Sequence, residues 1–214
     1  MPGLRLIETL LWRAGEGAPR LPLHLARLRR SAAALGFACD PAEAVRAVEA
    51  AAAGRPEWSL RIRLTLARDG TLAATATAFA ALPPDSVWTL VVSERRLDQS
   101  DPLLRHKTDR RALYDGERAR LLPGSGAEEV LFLNRAGRVA DGGITCLYAA
   151  DPAAPERLRT PPLAEGCLDS VLRAELLAAG RAREAPLSLG ELRAAPALFV
   201  GNALRGLIRA RLAG

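Results

Sequence analysis

The chain contains a single lysine, Lys107, among 30 basic residues, so the other 29 are arginines. Arginine keeps its proton in proteins and cannot serve as an amine nucleophile, whereas a lysine can once burial or a neighbouring cation frees its lone pair. A coding bias toward arginine would also leave one lysine by chance, so the count alone does not decide. Two further features stand near Lys107 in type. Asp141 is an acid on a glycine turn, Asp141-Gly142-Gly143, and a helix is predicted to begin near residues 169–172, with free N–H groups and a dipole that suit a phosphate. An amine, an acid and a phosphate cradle together match what pyridoxal phosphate requires: a Schiff base, a partner for the pyridine nitrogen and a phosphate site. A plain turn aspartate and an ordinary helix start are the alternatives for the last two.

These groups have to be positioned by a chain of 214 residues, long enough for one large or two small domains. Residues 4–12 read as a strand and Gly15-Glu16-Gly17 as a turn. Leu21, Leu25, Leu28, Ala32 and Leu35 fall on one helical face that ends at Gly36. Asp40-Pro41-Ala42-Glu43 announces a second helix with a capping box. Trp58, Leu60, Ile62, Leu64 and Leu66 alternate with polar residues as a half-buried strand, Asp69-Gly70 turns a hairpin, and residues 71–80 return. Residues 87–92 form another strand. The polar stretch 93–104 shows no period and reads as the junction between domains, directly before Lys107. The expected organisation is an N-terminal α/β domain with a mainly antiparallel sheet over 1–97, a linker over 98–106 and a C-terminal α/β domain over 107–214.

In the second half, helix is expected over 108–122, strands over 129–133 and 145–149, and a loop over 150–159. A helix follows over 168–180, capped by Asp169 or Ser170. Ser188-Leu189-Gly190-Glu191 is a capping box, and a strand over 197–200 leads through Gly201-Asn202 into a basic helix over 203–212.

The net charge of +6 comes from scattered arginines without long runs, and aromatics make up only 4%. That argues against a nucleic-acid surface and for a general attraction of anionic small molecules. Cys39, Cys146 and Cys167 are far apart and odd in number, and His24 and His106 are the only histidines, so neither a disulfide framework nor a metal centre is expected. No apolar run suits a membrane span and the start lacks a long apolar leader, which places the protein in the cytoplasm as an expectation.

Six segments, in order, resemble the class IV pyridoxal-phosphate aminotransferase family, which includes branched-chain and D-amino-acid aminotransferases and 4-amino-4-deoxychorismate lyases. They are His24-Leu25-Ala26-Arg27-Leu28, the run Lys107 to Tyr114, Val139-Ala140-Asp141-Gly142, Thr160-Pro161-Pro162-Leu163, Gly166 to Arg173, and Gly201-Asn202-Ala203-Leu204; Ile7-Glu8-Thr9-Leu10 resembles the opening strand. The resemblance implies a two-domain α/β (α+β) architecture of the D-amino-acid aminotransferase type, fold type IV, assembled as a homodimer. It implies that Lys107 carries the cofactor, that Arg27 and the N–H groups of Val171 and Leu172 bind its phosphate with Ser170 and Asn202 nearby, that Asp141 faces the ring nitrogen and that Leu168 packs on the ring. Thr145 and Ala203 are candidate substrate contacts.

The chain departs from the family pattern at four places. Asp141 replaces a glutamate, Ser170-Val171-Leu172 replaces Gly-Ile-Thr, Cys146 stands where an asparagine is usual, and Ala112 replaces a tyrosine of the aminotransferase branch. The Lys-Thr-x-x-Arg wording with Arg111 resembles the lyase branch, which releases pyruvate to leave 4-aminobenzoate. An aminotransferase is the second expectation, and a non-catalytic relative with a weakened cofactor site the third.

Overall fold

The computed structural model describes residues 3–214, which form two compact units. The first comprises residues up to Leu82 together with His106–Arg110; the second comprises Pro83–Arg105 and Arg111–Gly214. No helix among the described residues is long and apolar enough to cross a membrane.

In the first unit, β1 (Leu6–Arg13), β2 (Ser59–Leu66) and β3 (Leu72–Ala78) make an antiparallel sheet in that order. Alternation does the work in β2, where Leu60, Ile62, Leu64 and Leu66 are buried. Trp58, expected on the same inward face, lies before the strand and is 67% exposed. Helices α1 (Leu21–Leu35) and α2 (Pro41–Ala52) supply the other side of the core, with Leu28, Ala32, Ala44 and Val48 packed against the sheet residues. Gly36 ends α1 at φ 69°. Asp40 caps α2 by accepting the Ala42 N–H at 2.8 Å, but Glu43 pairs with Arg46 instead of closing the expected box.

The segment 106–110 is the outer neighbour of β1. The Lys107 carbonyl accepts from Ile7 N at 2.8 Å, the Arg5 carbonyl accepts from Asp109 N at 3.0 Å, and Leu6 and Thr108 form an antiparallel bridge. The lysine backbone is therefore a one-bridge edge strand, not the start of a C-terminal domain.

The second unit is built on an eight-stranded mixed sheet. Its strands are β4 (Val87–Leu97), β5 (Glu129–Asn134), β6 (Val139–Gly142), β7 (Cys146–Asp151), β8 (Ala154–Thr160), β9 (Ala182–Glu184), β10 (Leu198–Asn202) and β11 (Gly206–Leu212). The order across the sheet is β6-β5-β4-β11-β10-β7-β8-β9. Helices α3 (Ala112–Leu121), α4 (Val171–Ala178) and α5 (Leu189–Ala194) complete it, the last with the expected Ser188–Glu191 capping box.

Four expectations need correction here. The expected boundary after residue 97 moves to Leu82/Pro83, because β4 pairs in parallel with β5 and β11 and so belongs to the second sheet. Residues 93–97 continue that strand, so they are not linker. Residues 154–160, expected as loop, pair with β7 and β9. Residues 206–212, expected as helix, form β11: Ile208 and Ala210 are buried while Arg209 and Arg211 face out.

Candidate functional site

The expected site residues divide between the two units. Arg27 and Lys107 lie in the first, and Asp141, Thr145, Leu168, Ser170, Val171, Leu172, Asn202 and Ala203 in the second.

In the first unit, β1 and α1 bring three polar groups together out of water. Glu8, His24 and Arg27 are 2%, 2% and 4% exposed. Arg27 Nε donates to Glu8 Oε1 at 2.8 Å and its Nη2 to Glu8 Oε2 at 2.5 Å; His24 Nδ1 lies 2.6 Å from the same Oε2. Burial pushes the Glu8 carboxyl up, but the Arg27 charge and the hydrogen bonds from His24 and Arg27 outweigh it and hold Glu8 at about 2. Lys107 is half-buried, and its charge reaches His24, where it disfavours protonation. The adjoining His106 Nδ1 lies 2.9 Å from Ser31 Oγ on α1. Sequence reasoning named Arg27 but missed Glu8 and His24; the signal available was the histidine at the head of the HxxRL motif and an acid inside an apolar strand.

In the second unit the centre is Asp141, at the end of β6 and 6% exposed. Its Oδ1 accepts from Gly142 N at 3.1 Å and its Oδ2 from Leu168 N at 3.0 Å. Burial raises the carboxyl to about 7, against the opposing pull of these N–H groups and of the Cys146 thiol. The thiol itself is driven well above its ordinary range, first by burial and then by the Asp141 charge.

Glu129 organises the turn that carries Asp141. This carboxylate is 1% exposed and accepts from Val130 N at 2.9 Å, Ile144 N at 3.0 Å and Thr145 Oγ1 at 2.7 Å, with Arg118 as its ion-pair partner. A Cβ on Gly142 would stand 2.6 Å from both the Thr145 carbonyl and its Oγ1, so the turn closes only with glycine. Thr145, expected at the substrate, thus has its hydroxyl on Glu129 and is 3% exposed. Glu129 was also missed, since nothing local in the sequence links it to Thr145.

Helix α4 begins at Ser170, whose side chain makes no cap on the first turn. The hydroxyl lies toward the Cys146 thiol instead. Val171 and Leu172 therefore present first-turn N–H groups without that side-chain cap, the arrangement that binds anions. Gly201 lets the helix approach the sheet, since a Cβ there would stand 2.7 Å from Leu172 Cδ2 and from the Gly206 carbonyl. Asn202 is engaged in its own hairpin: Nδ2 donates to the Ile144 carbonyl at 3.1 Å, while Oδ1 accepts from Leu204 N at 3.1 Å and Arg205 N at 3.0 Å. Ala203 is 8% exposed beside it. Arg173 closes the segment onto the Pro161 carbonyl at 3.0 Å and onto Glu184.

Buried Asp141, held by backbone N–H groups and with its proton affinity raised, suits a protonated ring nitrogen. Together with the uncapped first turn of α4, it makes the second unit fit pyridoxal phosphate.

The family model for class IV amino-transferases matches residues 5–213. The chain belongs to that family. The family is one of pyridoxal-phosphate enzymes, and the mixed α/β fold agrees with it. The structure is similar to that of a protein from Mesorhizobium loti provisionally assigned as an amino-acid aminotransferase, with a TM-score of 0.93 and 46% identity, covering 99% of this chain and 100% of that one. It is similar to a provisionally assigned 4-amino-4-deoxychorismate lyase, with a TM-score of 0.83 and 26% identity, covering 97% of this chain and 84% of that one. The aminodeoxychorismate lyase of Saccharomyces cerevisiae is 31% identical over 136 residues, which is 57% of this chain and 36% of the yeast protein. The chain thus spans about a third of the length of that curated relative.

Proposed function

We propose that the chain is a pyridoxal-phosphate-dependent lyase of the class IV family, acting on an anionic amino substrate such as 4-amino-4-deoxychorismate with release of pyruvate and 4-aminobenzoate. The observation that carries the cofactor is Asp141, a buried carboxyl at about 7 held by two backbone N–H groups. When bound, the cofactor supplies an electron sink for a carbanion at the substrate α-carbon.

Each residue then has a task that its surroundings support. Asp141 holds the proton on the ring nitrogen. The N–H groups of Val171 and Leu172 and the guanidinium of Arg27 bind the phosphate, with Glu8 fixing the orientation of Arg27. Leu168 donates its N–H to Asp141, and its side chain would pack on the ring. Lys107 Nζ would hold the cofactor through its aldehyde and would move a proton at the substrate α-carbon. The pairing of the Lys107 backbone with β1 fixes where that amine starts. Asn202, with its amide engaged in the hairpin, and Ser170 shape the phosphate region, while Thr145 and Ala203 act through the turn backbone. A homodimer in the cytoplasm is part of this proposal.

The lyase branch is favoured by Lys-Thr-x-x-Arg and by Ala112, which opens α3 without a phenol. Arg111 at the head of that helix donates to the Gly143 carbonyl at 2.6 Å, tying the motif to the Asp141 turn. An aminotransferase is the second reading, favoured by the 46% identity to the Mesorhizobium loti protein. Pyruvate release from 4-amino-4-deoxychorismate, measured beside amino transfer to 2-oxoglutarate, separates the two. Protein that stays colourless after incubation with pyridoxal 5′-phosphate would exclude both.

A further inference from the structure

One buried group has no role in the chemistry above. His24 sits one turn before Arg27 on α1, and its ring is 2% exposed. Glu8 is ionised at neutral pH, so the contact at 2.6 Å requires Nδ1 to carry the hydrogen and donate it. A neutral ring in that tautomer leaves Nε2 as a bare lone pair. Nε2 is buried and has no hydrogen-bond partner among the described residues. Leaving such an atom unpaired in a buried site is unfavourable.

The charged groups facing the ring are Glu8 on β1, Arg27 on α1 and Lys107 on the 106–110 strand. Burial together with the two cations keeps the free ring neutral, while Glu8 acts in the opposite direction. His24 and Arg27 converge on the same Glu8 oxygen, so the imidazole and the guanidinium lie side by side. An anion arriving on Arg27 would add negative charge next to the ring and offer Nε2 an acceptor.

We propose that His24 takes up one proton at Nε2 when a phosphate monoester dianion seats on Arg27, and that the new Nε2–H donates to a phosphate oxygen. The proton comes from solvent, Nδ1–H stays on Glu8, and no other bond changes. His24 is then a proton-linked part of the phosphate clamp, and phosphate affinity falls as pH rises by up to about tenfold per pH unit. The inference rests on the reading of Arg27 as a phosphate ligand.

The test is calorimetric titration of the cofactor-free protein with inorganic phosphate and with pyridoxine 5′-phosphate, which lacks the aldehyde that would engage Lys107. At about pH 8 both probes are dianions, and two buffers of different ionisation enthalpy report proton uptake. Wild type is expected to take up close to one proton per phosphate bound. His24→Gln, which cannot titrate, is expected to take up none and to lose the decline of affinity with pH. Phosphate binding without uptake, or equal uptake in His24→Gln, overturns the proposal. If neither probe binds while pyridoxal 5′-phosphate still gives a visible band, the proposal fails and the cofactor reading survives; if no band forms either, both fail. Should His24→Gln not fold, ¹⁵N spectra of the wild-type imidazole decide, because an Nε2 signal that remains that of a bare nitrogen in the phosphate complex overturns it.

Discussion

The Leu168 N–H donates to Asp141 Oδ2 at 3.0 Å, which locks the end of β6 to the segment that opens α4. The acid and the segment that opens α4 are therefore tied by one hydrogen bond between residues 27 apart in the chain. On the proposed reading, a ring nitrogen held at the one would place the remainder of the cofactor with respect to the other.

Asp141 makes the cofactor-free protein lose stability as pH rises. Its carboxyl moves from an ordinary value of 3.8 to about 7. Below the first value it is protonated folded and unfolded; between the two, only the unfolded chain ionises, and this favours unfolding. The loss is complete above about pH 7 and amounts to roughly 4 kcal/mol at most. Urea unfolding across this range should show the decline in wild type and its absence in Asp141→Asn. Added pyridoxal 5′-phosphate should reverse it in wild type only.

Glu8 has the opposite sign. Its carboxyl is held at about 2 against an ordinary 4.5, so its contribution is complete above 4.5 and is lost as pH falls toward 2. The amount is on the order of 3 kcal/mol. Glu8→Gln should remove this acid-labile contribution and weaken phosphate binding by freeing Arg27 to reorient. Unfolding curves at acid pH and phosphate titration at neutral pH check the two parts.

Removal of Glu129 should damage the Asp141 turn from beneath. Glu129→Ala strands Arg118 and three other donors, and a cost of about 3–5 kcal/mol is expected. Gly142→Ala forces a Cβ to 2.6 Å from Thr145 and should cost about 1–3 kcal/mol. Both should weaken pyridoxal 5′-phosphate binding, which fluorescence titration of folded variants measures. Unchanged affinity in a destabilised variant would separate the turn from the site.

Lys107→Ala should leave the melting temperature within a few degrees of wild type, since its main-chain pairing with β1 survives. It should abolish the visible band and reduce turnover by several orders of magnitude, while cofactor phosphate binding persists. Absorbance after reconstitution and filter retention of the cofactor report these separately.

Much of the small unit was legible because its periods are clean. Leu60 to Leu66 alternate, Leu21 to Leu35 repeat at helical spacing, and Gly36 and Asp69-Gly70 punctuate them. The large unit was less so. Residues 206–212 carry both patterns: Leu204, Leu207 and Ile208 suit a helix, while Ile208, Ala210 and Leu212 alternate with Arg209 and Arg211. The vacancy between β4 and β10 selects the strand, and only the assembled sheet contains that information. The polar run in 93–97 hid a strand for the same reason. At the site, Lys107, Arg27 and Asp141 were visible as motif residues. Glu8 and His24 stood in quoted segments without a role, and Glu129 stood in none, because a buried carboxylate is recognisable by the donors that surround it, and those donors come from distant positions.

The passage of residues 106–110 through the first unit, with both flanks in the second, has a bearing on descent and on engineering. The two units cannot be exchanged as cassettes at the Leu82/Pro83 boundary. A chimera cut there would inherit β1 from one parent and the Lys107 strand from the other, so the nucleophile would have to find its register on a foreign edge. Recombination among relatives should tolerate that crossover only where residues 5–9 and 106–110 are matched between the parents.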